Sequence, residues 1–574
     1  MTDFPLDSPI PGIRRWRESV SLTVIVLALI LLVLVLPPLF FLLAASVHTT
    51  NYDGSFDQFT LGYFSGLLSS RGFLTSLLNT GIYSIGSASI GIILGAALAI
   101  IVERTNAPAR RLAFLGAIIS MAIPHVLYVV AWLLLLGRTG PVTELWAMLT
   151  GGLRFNIYSI GGMILIEGMS FVPLNFLLMS SVLRATDAAF EEASMMSGAG
   201  PVATFWKITL RMGMPGVLAL LLMSFIRAFE SFEVPAIVGL AGGIEVLTTS
   251  IYQNARAVSP PNFGQAGAYS VFLLVFLSIM LYFYGRLSRH AHKYQSITGK
   301  GYRPRTLDLG RWRWVATGLM ALILFLVIGL PLLIILFASL QPFYSKVNMA
   351  SFARFTLQNY EKVIGPGFFR ETLVNTLILG TAVASLVVPF TALCAWLAVR
   401  RRRGAWLLDQ LATAPLVFPS IVMGVAFLNV FVNLPWGIYG TLFSVILASA
   451  VGYLPYGMRY AYSGVMQIHT DLEEASTAAG ATQERTFAMI VMPLLATSMF
   501  SCWLFVFLLA VRAMSLPLLL VGPGSSLVAV SLFDLWQNGQ VTELAAMGMI
   551  WVGLMTIVSI IFTVVARRYR MAVV

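Results

Sequence analysis

The chain carries very little charge. Of its 574 residues only 10% are Asp, Glu, Lys or Arg, where a soluble domain carries roughly a quarter. That shortage excludes an ordinary water-soluble globule. With 58% apolar residues and a mean hydropathy of +0.86, it indicates a polytopic membrane protein. Cysteine is nearly absent. Cys394 and Cys502 both sit inside apolar runs, so neither a disulfide framework nor a cysteine metal cage is available, and both read as packing residues. Histidine is sparse too: His48, His125, His290, His292 and His469 are scattered, and the close pair His290 and His292 lies in a polar, basic stretch where solvation is its ordinary fate. No G-x-x-x-x-G-K-[ST] occurs, and "GKGYRPR" lacks the preceding glycine spacing of a phosphate-binding loop, so any ATP hydrolysis must belong to another subunit. H-E-x-x-H is missing, and no G-x-S-x-G falls in a strand-turn-helix setting, which sets a membrane enzyme aside.

Apolar runs are abundant. Windows of about 20 residues, long enough to cross a bilayer core as a helix, recur along the whole chain. About twelve are expected, centred near Leu34, Gly91, Ala122, Leu174, Leu222, Leu274, Leu326, Leu386, Phe418, Ile446, Leu508 and Met555. The first run is too long for a signal-peptide core and reads as an uncleaved anchor. The net charge of +12 is explained by topology rather than by nucleic acid. With both termini in the cytoplasm, 25 of the 36 Lys and Arg fall inside, 8 outside and 3 in the membrane, as the positive-inside rule requires. The fold expected is an all-α polytopic membrane protein of two related six-helix halves. Its divisions are a cytoplasmic N-terminus (1–20), a first membrane domain (21–285), a basic cytoplasmic linker (286–312), a second membrane domain (313–566) and a cytoplasmic C-terminus (567–574). The 25 methionines and 12% aromatics read as packing and interfacial anchors.

The second half restates the first. "NTGIYSIGSASIGIILGAALAIIVER" begins at Asn79 and "NTLILGTAVASLVVPFTALCAWLAVR" at Asn375, a separation of 296. Pro124 matches Pro419, and Pro173 matches Pro455. "EEASMMSGAG" (Glu191 to Gly200) returns as "EEASTAAGAT" (Glu473 to Thr482) at a separation of 282, so the first half holds a net fourteen extra residues, assigned to the outside loop between Gly137 and Asn156.

The repeated phrase is built as helix, turn and helix on the cytoplasmic side. Thr470 and Glu473 have capping-box spacing, and Asp187 is a weaker cap for the first copy. Gly198 and Gly480 stand where a helix can stop in the left-handed region. Pro201 suits the next first turn, and Thr482 is a good cap. Small residues Ala193, Ser194, Ala475 and Ser476 permit close approach of another protein, while Glu192 and Glu474 offer charge-assisted contacts.

Here the chain resembles the permease subunits of type I ABC importers. Their pattern is E-A-A, three residues, Gly, nine residues, Ile, one residue, Leu-Pro. It is met by Glu474, Ala475, Ser476, Gly480, Ile490, Met492 and Pro493, and by Glu192, Ala193, Ser194, Gly198, Ile208 and Leu210, with Arg211 in place of the proline and serine in place of the second alanine in both copies. The resemblance implies that Glu191 to Gly198 and Glu473 to Gly480 are coupling helices, each docking one of two ATP-binding subunits that hold ATP and Mg. It further implies an external substrate-binding protein, a bacterial inner-membrane location and no cofactor in this chain. The fused layout looks most like the ferric-iron importers and their relatives for thiamine, polyamines, organic phosphates or phosphonates. The stretches Phe225 to Gly239, Pro260 to Leu274 and Lys293 to Arg305 look closest to the iron(III) group.

Charges inside apolar runs point to the translocation pathway, because an ion in a bilayer costs several kcal/mol unless paired or wet. Arg227, Glu230 and Glu233 share the fifth run, and Arg512, in the eleventh, is the repeat equivalent of Glu230. Two readings stand together: a Glu230–Arg512 clamp across the pseudo-twofold axis, or a local Arg227–Glu230 pair. Glu167 and Arg459 also lie within apolar runs. A twelve-helix secondary transporter is the rival of another class. It accounts for the helices, repeat and linker, but not for the paired docking phrase.

Overall fold

The computed structural model describes residues 22–51, 55–121, 123–185, 188–292, 307–365, 367–435 and 437–568. The N-terminal segment, most of the linker, the last residues and Asp187 lie outside the described residues. The chain is mostly helical, as a bilayer demands: with no water in the hydrocarbon core, backbone groups must be satisfied within each segment. Ten described helical segments are long and apolar enough to cross a membrane, or up to twelve if each of two bent pairs is one span.

The two halves repeat element by element. Arg71–Arg104 corresponds to Phe368–Val399, Ile160–Ala185 to Leu442–Met466, Leu210–Phe229 to Met492–Arg512, and Phe263–His292 to Val541–Arg568. The first helix of each half crosses over. Leu22–Ser46 packs on Phe263–His292 and also on Ser420–Asn433 of the other half, while Leu330–Ser339 packs on Val541–Arg568 and on His125–Leu136.

Within the first half, Arg71–Arg104 lies tightly against Ile160–Ala185 because Gly91 and Gly95 form a small-residue step. A Cβ at Gly95 would stand 2.8 Å from Asn175 Cβ. The second half exchanges the partners: Thr391 stands at the place of Gly95 and Gly457 at that of Asn175, and a Cβ on Gly457 would meet Thr391 Oγ1 at 2.5 Å. One small residue per crossing is kept, on opposite helices. The repeated Asn-Thr pair also has a structural task. Asn79 Nδ2 donates to Glu245 O at 3.0 Å and Thr80 Oγ1 accepts from Leu247 N at 3.0 Å. Asn375 Nδ2 likewise donates to Gly524 O and Ser526 O, and Thr376 Oγ1 accepts from Val528 N at 2.9 Å. Each pair satisfies backbone at the start of the short helix (Leu247–Tyr252 or Val528–Gln537) that follows the fifth run.

Two of the expected spans are not single helices. The runs centred at Ala122 and Phe418 break at their shared prolines, into Arg110–Met121 and His125–Leu136, and into Trp406–Val417 and Ser420–Asn433 with a 107° bend. The residue before proline is driven out of the α region, and Phe418 is extended (φ −83°, ψ 117°). The helices after the breaks form the centre of the molecule. Every residue from Val126 to Leu136 and from Ile421 to Phe431 is buried. A further bent pair, Pro235–Gly242 with Leu247–Ala257 at 89°, follows the fifth run and was not expected. Leu442–Met466 is outside the ten apolar segments although it holds the place of a span. It carries Tyr453, Tyr456, Arg459, Tyr460 and Tyr462.

Near the end of the expected linker, Leu307 N donates to Arg104 O at 2.9 Å and Asn106 N to Leu307 O at 3.1 Å, so that stretch lies beside the end of Arg71–Arg104. The Gly310 amide and the Asn106 side chain hold the Asp308 carboxyl below its ordinary range.

Candidate functional site

The two copies of the acidic phrase fold alike. Ala188–Met196 and Asp471–Ala478 are short helices that end at Gly198 (φ +85°) and Gly480 (φ +86°). Ala199 N donates to Ser194 O and Gly198 N to Met195 O; Ala481 N donates to Ser476 O and Gly480 N to Thr477 O. This paired bonding closes both helices through a left-handed glycine, the conformation an L side chain resists. Thr482 Oγ1 accepts from Arg485 N, capping the next helix as expected. The serine that departs from the family's second alanine has a partner in each copy: Ser194 Oγ meets Thr204 Oγ1 at 2.9 Å, and Ser476 Oγ meets Thr486 Oγ1 at 2.9 Å, pinning helix to helix across the turn. Both exits pass through a π turn, Phe205–Thr209 and Phe487–Val491, so Arg211 in place of proline leaves the local path unchanged.

The capping box does not form. Thr470 has helical dihedrals and makes no side-chain cap bond. Glu473 instead turns inward, accepting from Trp396 Nε1 at 3.0 Å and from Arg400 Nε and Nη2 at 2.8 and 2.6 Å. A charged donor from a neighbouring helix outcompetes a local amide, because ionised partners make the stronger bond. Glu191 does the same in the first copy, at 3.0 Å from Arg104 Nη2, and accepts from Thr209 Oγ1 at 2.9 Å. Arg104 and Arg400 are the terminal residues of the two repeated Asn-Thr runs. The first glutamate of each phrase is therefore a strut between the short helix and a membrane helix. Ala193, Glu474 and Ala475 are exposed and Glu192 is half-buried, on helices that also expose Phe190, Met196 and Leu472.

The intramembrane charges converge on a cavity of roughly 330 Å³ between the halves. Arg227, Glu230, Glu233 and Arg512 all line it. Glu230 accepts from Arg227 Nη1 at 3.0 Å, the local pair of the two readings, and Arg512 lines the same space. The bond across the halves comes three residues later: Ser515 Oγ donates to Glu233 Oε1 at 2.9 Å. Glu167 and His125 complete the wall. His125 Nε2 lies 3.3 Å from Glu167 Oε2 and His125 Nδ1 lies 3.6 Å from Glu233 Oε2.

Sequence reading missed His125, and it noted Glu167 without placing it. The available signal was the repeat itself. His125, Glu167 and Glu233 correspond to Ser420, Ser449 and Ser515, and all six line the cavity. Among the described residues no group of three or more His, Cys, Asp and Glu side chains is arranged to hold a metal ion.

Two helical repeats about a shared polar cavity, each with a helix-turn-helix projection at one end, define a two-repeat membrane permease. The sequence profile described as "Binding-protein-dependent transport system inner membrane component" matches residues 91–293 and again residues 387–571. The chain belongs to that family, with two copies fused in one polypeptide: it is an ABC importer permease, a transport protein rather than an enzyme, and the secondary-transporter reading falls. It is similar to a putative ferric transport system permease protein of Haemophilus influenzae, 29% identical over 82% of this chain and 73% of that protein. It is also similar to a ferric transport system permease protein of Actinobacillus pleuropneumoniae, 27% identical over 86% of this chain and 71% of that protein. A putative 2-aminoethylphosphonate transport system permease protein of Salmonella typhimurium is 25% identical over 44% of this chain and 95% of that protein. Among solved structures, a bacterial ABC transporter involved in the import of the acidic polysaccharide alginate matches with a TM-score of 0.39 and 18% identity, over 48% of this chain and 94% of that chain.

Proposed function

We propose that this chain forms the translocation pathway of a binding-protein-dependent importer for ferric iron, driven by ATP hydrolysis in two partner subunits. The observation that carries the cargo is the likeness to two ferric transport permeases over most of the chain's length. The observation that supports the coupling is the duplicated turn, with the same glycine conformation and the same serine–threonine bond in both copies.

In this reading Glu192, Ala193, Ser194 and Gly198 dock one ATP-binding subunit, and Glu474, Ala475, Ser476 and Gly480 the other. Both subunits lie on the cytoplasmic side and hold the ATP and Mg. Glu191 and Glu473 carry the movement into the membrane through Arg104 and Arg400. Cargo arrives from an external binding protein and passes the cavity lined by Arg227, Glu230, Glu233 and Arg512. Membrane selectivity is then a matter of weak, reversible contact, since a pathway that grips tightly releases slowly. A phosphonate cargo is the second reading, favoured by the Salmonella relative and by the two arginines in the cavity.

The deciding experiment isolates the assembled complex with its binding protein and measures bound cargo by elemental and organic mass spectrometry. Stoichiometric iron is expected. A phosphonate, polyamine or thiamine without iron would discard the ferric cargo and keep the importer. Transport without any associated ATPase would discard the coupling.

A further inference from the structure

The chemistry of the central cavity is one-sided. The two halves share a backbone plan, yet the first places His125, Glu167 and Glu233 where the second places Ser420, Ser449 and Ser515. Helix packing therefore does not demand ions at these positions, because the same architecture is built with hydroxyls. Two carboxylates inside a membrane bundle nevertheless cost several kcal/mol each before pairing, and Glu167 is only 2% exposed. A second observation points into the same space. Tyr128, one turn from His125 and 7% exposed, lines the cavity, and its Oη has no hydrogen-bond partner among the described residues.

The donors on this wall are oxygens of two carboxylates and a phenol, the hard set that suits multivalent cations. The place between the carboxylates is held by an imidazole whose two nitrogens each face one of them at ion-pair rather than hydrogen-bond distance, 3.3 and 3.6 Å. His125 follows the Pro124 break directly and its side chain is 31% exposed, which leaves it room to swing away from the two carboxylates. Arg227 and Arg512 line the same cavity with the opposite sign, and Arg227 is paired with Glu230.

We propose that Glu167, Glu233 and Tyr128 form a transit site for a hard multivalent cation, and that His125 is the displaceable counter-ion that closes the site when no cargo cation is bound. This deepens the ferric reading and rests on it. Passage needs no covalent step. The cation takes the carboxylate oxygens, His125 leaves them, and the exchange reverses on exit.

The test uses the complete importer, with its ATP-binding subunits and binding protein, in lipid nanodiscs. The probe is Tb(III), a hard trivalent ion whose emission is sensitised by a nearby Tyr128 and by Trp132, 6.5 Å from it between ring centroids. Saturable emission that Ga(III) competes away is expected. Glu167→Gln and Glu233→Gln should each weaken Tb(III) binding about tenfold or more, because ligand charge sets affinity at oxygen sites. His125→Gln should tighten it several-fold by removing the competitor. Glu167→Asp, which keeps the charge, should restore most of the affinity and covers the case in which Glu167→Gln fails to fold.

No saturable emission from the wild type, wild-type affinity in both glutamine variants, or weakening by His125→Gln would each overturn the site. Uptake of radioactive iron into proteoliposomes separates this from the ferric reading. Iron import by the wild type at a rate that both glutamine variants share sinks the site alone. ATPase stimulation by the binding protein without any iron import sinks the ferric cargo, and the Tb(III) affinities then still decide the site.

Discussion

Glu233 and Ser515 occupy the same position in the two repeats, 282 residues apart, and they hydrogen-bond to each other at 2.9 Å. A residue that touches its own repeat mate must lie at the pseudo-twofold axis. This one bond therefore locates the line along which the halves meet, and it does so inside the polar cavity. Glu230 and Arg512, the repeat-related pair of the clamp reading, stand three residues earlier in each half, and Glu230 is held by Arg227, the local pair of the other reading.

Cross-linking tests the axis. In a background with Cys394 and Cys502 replaced by Ala, the pair Glu233→Cys and Ser515→Cys should be joined by a short thiol-bridging reagent. The bridged product, read as a shift in electrophoretic mobility, should disappear when a reducible bridge is cleaved. Efficient bridging of Glu230→Cys with Arg512→Cys but not of the 233–515 pair would move the axis.

The arginine–glutamate struts should be needed for coupling more than for folding. A charge-assisted bond to a part-buried carboxylate contributes roughly 1.5–3 kcal/mol. Arg400→Ala, which breaks the bonds to Glu473, should therefore lower ATP-driven transport about tenfold or more. The ATP-binding subunits should still co-purify. The exchange Arg400→Glu with Glu473→Arg should recover part of the loss, whereas an unrecovered double variant would reduce the strut to a folding contact.

Glycine at the two turns is required by backbone conformation. A β-branched side chain in the left-handed region costs roughly 1–2 kcal/mol. Gly480→Val should therefore open the turn at φ +86° and reduce the ATP-binding subunit retained on the purified permease, while Gly480→Asn should be nearly neutral. The same contrast is expected at Gly198. Equal retention by Val and Asn variants would mean that the turn does not shape the docking surface.

The exchanged glycines make a packing prediction. Gly95→Thr should destabilise the purified protein by roughly 1–3 kcal/mol, the usual cost of overpacking, because its Cβ meets Asn175 at 2.8 Å. Adding Asn175→Gly reproduces the Thr391–Gly457 pair of the other half and should restore part of the melting temperature, read in detergent. The lost Ser224 bond to Asn175 keeps the recovery incomplete.

Composition and spacing alone are enough to place the chain in a membrane, to reveal two copies of one plan, and to give each copy a helix-turn-helix phrase ending at Gly198 or Gly480. These are properties of composition and of local spacing, and local physics suffices: apolar length sets the span, and glycine sets the turn. The sequence also held the register that pairs Pro124 with Pro419, although not that these prolines break the helices they enter, since a proline kinks or breaks according to what packs around it.

Tertiary structure decided the rest. Glu473 satisfies the spacing of a capping box, yet it bonds Arg400 because another helix brings a stronger donor within reach. His125, Glu167 and Glu233 come from three separate segments whose meeting no local pattern announces; only the closure of two halves about an axis places them on one wall, opposite three serines. Side chains far apart in the chain meet because helices fold against one another, and the charge they share becomes visible only when that packing is complete.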